Sequence, residues 1–199
     1  GVSLLLYTER FQQSIHQIVS RQRQDKDYIM YHQFEKIGES KIRKELLEYV
    51  ESLPKDTSWQ QYFRGKPLTF ETVNAPPEII KKCDLIMRAY EIEPKKNSKI
   101  MRMKPNTYYK PHSDGNRSCS INLLLNDECD SFTFFDNGYH KPMQNDFVEL
   151  KYEKDSYYLL DSSIEHGVIN HNQWRYVFTV GFGISSDNKY NDVLNVLRS

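Results

Sequence analysis

The sequence has few cysteines, no excess of charge of either sign and no long apolar run. Its three cysteines, Cys83, Cys119 and Cys129, show no C-x-x-C spacing. Neither a disulfide framework nor a zinc knuckle is therefore predicted. A reducing environment is the simplest interpretation of these cysteines, and we predict a cytoplasmic protein.

The charges cancel, because 27 lysines and arginines stand against 27 aspartates and glutamates. Without a net field to attract phosphates, nucleic acid is not an expected partner. No apolar run approaches the roughly 20 residues that cross a bilayer, and the first ten residues lack the basic start of a signal peptide. Because G-x-S-x-G is missing, a serine hydrolase is also disfavoured. We predict neither a membrane span nor a signal peptide.

The first hundred residues instead show helical periodicity. Apolar side chains recur at spacings of three and four around residues 11–19, 42–53 and 79–90. Pro77 suits the first turn of the third of these helices. A short strand is expected near residues 67–73. We predict a mainly helical support region over residues 1–97.

From about residue 98 the apolar period changes to two. The segments "KIMRM", "SCSINLLLN", "SFTFFDN", "DFVELKYE", "DSYYLLD" and "RYVFTVGFGI" are separated by Gly, Asn, Asp and Pro. Short, evenly spaced strands of this kind predict an antiparallel sandwich or barrel such as the jelly roll. The expected fold class is mainly β with N-terminal helices (α+β), in a single domain over 1–199. Residues 98–184 would form its core and residues 185–199 a C-terminal tail.

The segment "PHSDG" raises the possibility of a metal site. In an extended segment His112 and Asp114 face the same way and can approach one ion. A third ligand must come from elsewhere, and the best candidate is His166, at the end of a predicted strand beside a glycine. Two histidines and one carboxylate form the facial triad of non-haem Fe(II) oxygenases. The remaining histidines are interpreted as surface residues: His16, His32, His140 and His171.

Arg175 adds a second element to this prediction. It shares one strand face with Val177 and Thr179, whereas Trp174 and Tyr176 lie on the other. An arginine that points into a β-sandwich needs an anionic partner, because a buried unpaired guanidinium is costly. A dicarboxylate could supply that partner through paired hydrogen bonds to the guanidinium.

Three segments carry a resemblance to a known family: "MRMKPNTYYKPHSDGNRSCSINLLLND", "FTFFDNG" and "YYLLDSSIEHGVINHNQWRYVFTVGFG". Together they resemble the double-stranded β-helix core of the 2-oxoglutarate- and Fe(II)-dependent dioxygenases. The similarity is greatest to the prolyl 4-hydroxylase-like branch and covers residues 98–184. That branch usually has lysine at the position of Arg175, so the arginine points to another subgroup.

The resemblance implies roles for individual residues. His112, Asp114 and His166 would bind Fe(II), and Arg175 would bind the distal carboxylate of the co-substrate 2-oxoglutarate. Three further contacts to the co-substrate region are implied at Tyr108, Asn122 and Thr179. The implied reaction uses O₂ and 2-oxoglutarate to hydroxylate an unactivated C–H bond, with release of succinate and CO₂.

The substrate and two alternative functions stay open. The substrate could be a peptidyl side chain, a free amino acid or a small metabolite. A jelly-roll metal enzyme that does not use 2-oxoglutarate would keep the triad but give Arg175 no ligand. A non-catalytic binding module would use the histidines and the aspartate only to cap turns.

Overall fold

Two antiparallel β-sheets dominate the fold, and their strands come from both halves of the sequence. The structure is a computed structural model that describes residues 33–54, 57, 59–61, 70–92, 98–141, 144–183 and 189–199. All of them belong to one compact unit, Gln33–Ser199. The helix predicted over residues 11–19 lies outside the described residues. The prediction of a single domain over 1–199 therefore stays a prediction.

The described residues contain eleven strands. They are β1 (Phe34–Glu39), β2 (Gln60–Gln61), β3 (Phe70–Asn74), β4 (Lys99–Met103), β5 (Thr107–His112), β6 (Cys119–Leu124), β7 (Ser131–Lys141), β8 (Gln144–Leu150), β9 (Ser156–Asp161), β10 (His166–Asn170) and β11 (Arg175–Phe182). The larger sheet has seven strands in the order β1-β9-β6-β11-β4-β3-β2, and the smaller has four in the order β5-β10-β7-β8. The predicted antiparallel sandwich is confirmed.

Four helices are described, and they pack against the larger sheet. They are α1 (Arg43–Ser52), α2 (Pro77–Ile80), α3 (Asp84–Ile92) and α4 (Tyr190–Arg198). Leu46, Ile86 and Leu194 join Phe178 and Val180 of β11 in one buried cluster, which fixes the helices on that face. No helix in the described ranges is long and apolar enough to cross a bilayer.

The structure corrects the prediction for the two flanks of the core. Strands β1, β2 and β3 extend the larger sheet within the region predicted to be mainly helical, although β3 overlaps the short strand expected there. Residues 190–198 form helix α4 rather than a tail. Tyr190, Val193, Leu194 and Leu197 are buried in it, because their spacing of three and four places them on one face.

The space between the sheets is filled unevenly. Phe135 and Leu150 of the smaller sheet pack against Tyr158 and Leu160 of the larger one. Beside this apolar contact lies a cavity lined by polar side chains from both sheets. The strands thus place a polar site inside an otherwise apolar sandwich.

Candidate metal centre

His112, Asp114 and His166 converge in this cavity. His112 ends β5 and His166 begins β10, and the two residues are direct partners in the antiparallel ladder. Asp114 follows β5, where its backbone N–H donates to the carbonyl oxygen of Ser162 at 2.9 Å. One potential ligand atom from each of the three lies within 4.8 Å of the others. The ladder therefore brings together residues that are 54 positions apart.

The two carboxylate–imidazole distances in this cluster suit one shared ion. Asp114 Oδ1 lies 3.5 Å from His112 Nε2, and Asp114 Oδ2 lies 3.9 Å from His166 Nε2. Two atoms that each lie about 2.1 Å from one ion can be at most about 4.2 Å apart. Both measured separations fall below that limit.

Each imidazole has its Nδ1 side occupied by a backbone carbonyl. The His112 Nδ1–H donates to the carbonyl oxygen of Lys110 at 2.9 Å, and the His166 Nδ1–H donates to that of Ile164 at 2.8 Å. A carbonyl only accepts hydrogen bonds, so the neutral ring keeps its lone pair on Nε2. In the neutral form of each ring, Nε2 is thus prepared as a metal ligand, and the hydrogen bond at Nδ1 fixes its orientation.

The three groups shift each other's protonation. Burial opposes the charged form of Asp114, but the hydrogen bond from His112 and the charge of Arg117 hold the pKa of its carboxyl well below the usual range. Burial also opposes the charged form of His112, yet Asp114 and the Lys110 carbonyl raise its pKa overall. Burial dominates at His166 and lowers its pKa. The site thus holds an ionised carboxylate and one imidazole that favours the neutral, ligating form.

Arg117 completes the surroundings of Asp114. Its Nε–H donates to Asp114 Oδ2, and its Nη1 donates to Thr179 Oγ1 at 3.4 Å. A Cβ at Gly181 would lie 2.9 Å from Arg117 Cδ, so glycine at this position leaves room for the arginine stem. Because Gly181 of β11 has no side chain, the Arg117 stem fits beside it, and the guanidinium can orient the Asp114 carboxylate.

Arg175 lies in the same cavity but comes from the opposite sheet. It is 3% exposed, and its guanidinium donates to Ser131 Oγ at 3.2 Å and to Thr133 Oγ1 at 3.1 Å. Both acceptors are neutral hydroxyls. Among the described residues no aspartate or glutamate forms an ion pair with Arg175. A buried charge held only by neutral groups favours an anionic ligand at this end of the cavity.

Tyr152 faces the same end of the cavity. The Arg175 guanidinium carbon lies 5.7 Å from the centre of its ring. The Tyr152 hydroxyl is buried and has no hydrogen-bond partner within the part of the chain that the structure describes. Leaving a buried hydroxyl unpaired costs about 1–3 kcal/mol. A carboxylate beside Arg175 would give this hydroxyl an acceptor.

Asn122 and Thr179 form a cross-strand pair between β6 and β11. The Thr179 hydroxyl donates to Asn122 Oδ1 at 2.7 Å, and Asn122 lines the cavity. Thr179 shares a strand face with Arg175, but its hydroxyl contacts Asn122 and Arg117. The structure therefore places Thr179 at the Asp114 end of the site.

The structure corrects the position of Tyr108. This residue is 49% exposed and lines a groove on the outer face of the smaller sheet, whereas its neighbour Tyr109 lines the cavity. Val168 pairs with Tyr109 and His166 with His112, so β5 contains an extra residue between these two pairs. Such a bulge reverses the alternation of faces, and Pro111, which has no N–H for the ladder, lies within it.

Comparison with proteins of known structure identifies the fold. No protein-family model matches the sequence, and no curated protein sequence matches it. Among solved structures, a Trichoplax adhaerens prolyl hydroxylase in complex with a hypoxia inducible factor peptide fragment superposes with a TM-score of 0.58, at 16% identity over 86% of this chain and 94% of that chain. A Pseudomonas putida prolyl-4-hydroxylase gives 0.57, at 11% identity over 79% and 96%. The alpha-ketoglutarate-dependent epimerase SnoN of nogalamycin biosynthesis gives 0.50, at 10% identity over 74% and 77%.

The chain has the double-stranded β-helix fold of the prolyl hydroxylases. The predicted fold is thereby confirmed. At these identities the likeness shows the fold alone, so an activity must be argued from the side chains. Within the double-stranded β-helix, the triad lies at one end of the cavity between the sheets and Arg175 at the other.

The structure adds three residues to the predicted metal and co-substrate site, namely Tyr109, Arg117 and Tyr152. The bulge in β5 turns Tyr109 toward the cavity, and no pattern in the sequence indicates this bulge. Arg117 follows Asp114 by three residues in a loop, where no periodic pattern indicates direction. Tyr152 lies between β8 and β9, and only the packing of the two sheets brings it to Arg175.

A substitution of Gly167 should damage the site from within β10. A Cβ there would lie 2.6 Å from Phe134 Cζ and 3.0 Å from the backbone oxygen of Tyr109. Phe134 can rotate away, but the Tyr109 carbonyl is part of β5. We expect Gly167→Ala to lower the free energy of unfolding by about 1–3 kcal/mol in urea titrations. Gly115→Ala is the matched control, because nothing lies within 4 Å of its Cβ. Equal stability of the two variants would contradict this packing.

Proposed function

We propose that the protein is an Fe(II)- and 2-oxoglutarate-dependent oxygenase. The observation that carries the proposal is the shared cavity. The His112, Asp114 and His166 cluster lies in it together with Arg175, a buried cation that has no acidic partner among the described residues. A metal site alone would not require the arginine, and a carboxylate-binding site alone would not require the cluster.

His112, Asp114 and His166 would hold Fe(II) through the two Nε2 atoms and the carboxylate. Bound Fe(II) in such a triad supplies open coordination positions for the co-substrate and O₂. The chain's own contribution is to fix both imidazoles through the Lys110 and Ile164 carbonyls and to keep Asp114 ionised beside Arg117. These residues fit the metal, because the donor set is preformed.

Arg175 and Tyr152 would hold the distal carboxylate of 2-oxoglutarate. The guanidinium supplies the charge, and the unpartnered Tyr152 hydroxyl supplies a further donor. Ser131 and Thr133 keep the guanidinium in place through their hydroxyls. The keto acid end of a molecule anchored in this way would extend toward the triad.

The reaction proposed is hydroxylation of an unactivated C–H bond in a peptidyl side chain, an amino acid or a small metabolite. O₂, 2-oxoglutarate and substrate give hydroxylated product, succinate and CO₂. The intact carboxylate of Asp114 supports hydroxylation, because it fills the position that related halogenases leave free for a halide. We further propose that the protein works in the cytoplasm, which its three free cysteines support.

The test is turnover of 2-oxoglutarate in air with added Fe(II), followed as succinate. The wild type should form succinate slowly even without substrate, and His112→Ala/His166→Ala should form none above background. Iron binding by the wild type without any succinate formation would overturn the use of 2-oxoglutarate and favour another metal enzyme. The absence of iron binding would overturn the metal site and favour a binding module.

Tyr152→Phe should weaken 2-oxoglutarate binding while it raises the stability of the ligand-free protein. Removing an unpaired buried hydroxyl should raise the stability of the ligand-free protein by about 1 kcal/mol in thermal or urea unfolding. The same change should weaken 2-oxoglutarate binding by about 10-fold in calorimetry, because a hydrogen bond to a charged group is lost.

Tyr158→Phe is the matched control. The Tyr158 hydroxyl already accepts from the Glu153 N–H and donates to the Lys151 carbonyl. We expect this variant to lose stability and to keep its affinity for 2-oxoglutarate. A Tyr152→Phe variant that binds 2-oxoglutarate as tightly as the wild type would contradict the assigned contact.

A further inference from the structure

The outer face of the smaller sheet carries a groove of about 730 Å³. We call it the outer groove. Tyr108, Phe132 and Phe147 form its apolar floor, and Asp146, Glu149 and Glu165 are among the acids that line it. It contains none of the residues of the metal cluster.

The floor of the outer groove is unusually exposed. Phe147 is 64% exposed, Tyr108 49% and Phe132 42%, and these are three of the five exposed large apolar side chains among the described residues. Phe134 and Phe147 contact each other with ring centres 5.3 Å apart. A cluster of exposed aromatic rings marks an interaction site more often than a random surface does.

Carboxylates line the outer groove. Glu149 and Glu165 are two of them, and no lysine or arginine of the described residues lines the groove. Lys151 Nζ lies 3.9 Å from Glu149 Oε2, and the Lys151 side chain is 82% exposed. Since the whole chain has no net charge, this acidic surface is a local feature. It is complementary to a basic partner.

Strand β8 forms one side of the outer groove and is the last strand of the smaller sheet. Within the described ranges it pairs only with β7. An edge strand offers N–H and C=O groups to an added extended segment. The location of the groove beside this edge favours a polypeptide over a small cation as its occupant.

The outer groove is separated from the metal cluster by the sheet itself. Phe135 pairs with His166 and is fully buried inside, whereas Phe134 and Phe132 belong to the groove outside. Occupation of the groove therefore requires neither metal nor co-substrate.

We propose that the outer groove binds an extended segment of a partner protein in which lysines or arginines alternate with apolar residues. The apolar side chains would cover Phe132 and Phe147. The cations would meet Glu149 and Glu165 and the faces of the aromatic rings, which attract guanidinium and ammonium groups. This site goes beyond the proposed oxygenase function and does not rest on it.

The test is a selection from a random-peptide library on the immobilised full chain, with a chelator present to exclude metal. The proposal predicts selected peptides with Lys or Arg between apolar residues, and binding that weakens as salt is raised. In fluorescence anisotropy with a selected peptide, Phe147→Ala and Glu149→Lys/Glu165→Lys should each weaken binding by about 10-fold or more. Met87→Ala and Glu78→Lys are matched controls on exposed helical positions and should bind as the wild type does.

Three results would overturn the proposal. The first is a selection without enrichment in basic residues. The second is a selected peptide that binds Phe147→Ala as tightly as the wild type. The third is sedimentation showing that the wild type self-associates and Phe147→Ala does not, since a second copy would then occupy the groove. Because no metal is present, failure of the oxygenase proposal would leave each of these results unchanged.

Discussion

Replacing His166 with alanine is expected to weaken Fe(II) binding by at least about 100-fold, since loss of a partner that merely orients a ligand already costs 10- to 100-fold. His166 supplies one of three ligand atoms, and its Nε2 is directed at the site by the Ile164 carbonyl. Burial lowers its pKa, so the wild-type ring is neutral and ready to bind at pH 7. Anaerobic titration with Fe(II), or calorimetry with Mn(II), measures the loss.

His171→Ala is the control for this experiment. His171 lies just after β10 and contacts Phe132, but it is not part of the cluster. Its replacement should leave metal affinity within about twofold of the wild type. Equal metal affinity of the His166→Ala variant and the wild type would show that the cluster is not the metal site.

Replacing Arg175 with methionine is expected to raise the dissociation constant of 2-oxoglutarate by about 30-fold or more, because removing one partner of a buried charge pair costs about 2–5 kcal/mol. Metal affinity should be unchanged, since Arg175 comes from the opposite sheet and its guanidinium donates to Ser131 and Thr133 rather than to the cluster. Calorimetry with 2-oxoglutarate on the Mn(II)-loaded protein measures the effect. Arg175→Lys should fall between the wild type and methionine, because it keeps the charge but loses the planar fork.

The control for Arg175 is Arg88→Met on helix α3, where the arginine donates to the Leu197 carbonyl oxygen at 3.3 Å. This variant should bind 2-oxoglutarate as the wild type does. If Arg175→Met left 2-oxoglutarate affinity unchanged, the cavity would have to hold the co-substrate elsewhere or not at all.

The positions of the triad residues and of Arg175 could be anticipated because strand alternation is a strong constraint. Arg175 and Val177 do line the cavity, whereas Phe178 and Val180 of the same strand pack against the helices. Where alternation breaks, prediction from the sequence fails. Because of the bulge before His112, Tyr109 rather than Tyr108 faces the cavity. Nothing in the run "TYYKPH" indicates which tyrosine faces inward.

The flanks of the fold were harder to predict for a different reason. Strand β1, "FEKIGE", shows no clean alternation because its pairing with β9 shifts register between Lys36 and Gly38. Helix α4, in contrast, is predictable from the sequence, because the spacing of Tyr190, Val193, Leu194 and Leu197 is a visible helical pattern. The roles of Arg117 and Tyr152 could not be predicted from the sequence, because only the approach of the two sheets brings these side chains into the site.

One measurement tests the central claim most directly. Fe(II) and then 2-oxoglutarate are added to the protein without oxygen, and the visible spectrum is recorded for the wild type, His166→Ala and Arg175→Met. The account predicts a charge-transfer band in the wild type, no band in His166→Ala, and a band in Arg175→Met only at far higher 2-oxoglutarate. Iron binding by the wild type without any such band at saturating 2-oxoglutarate would contradict it.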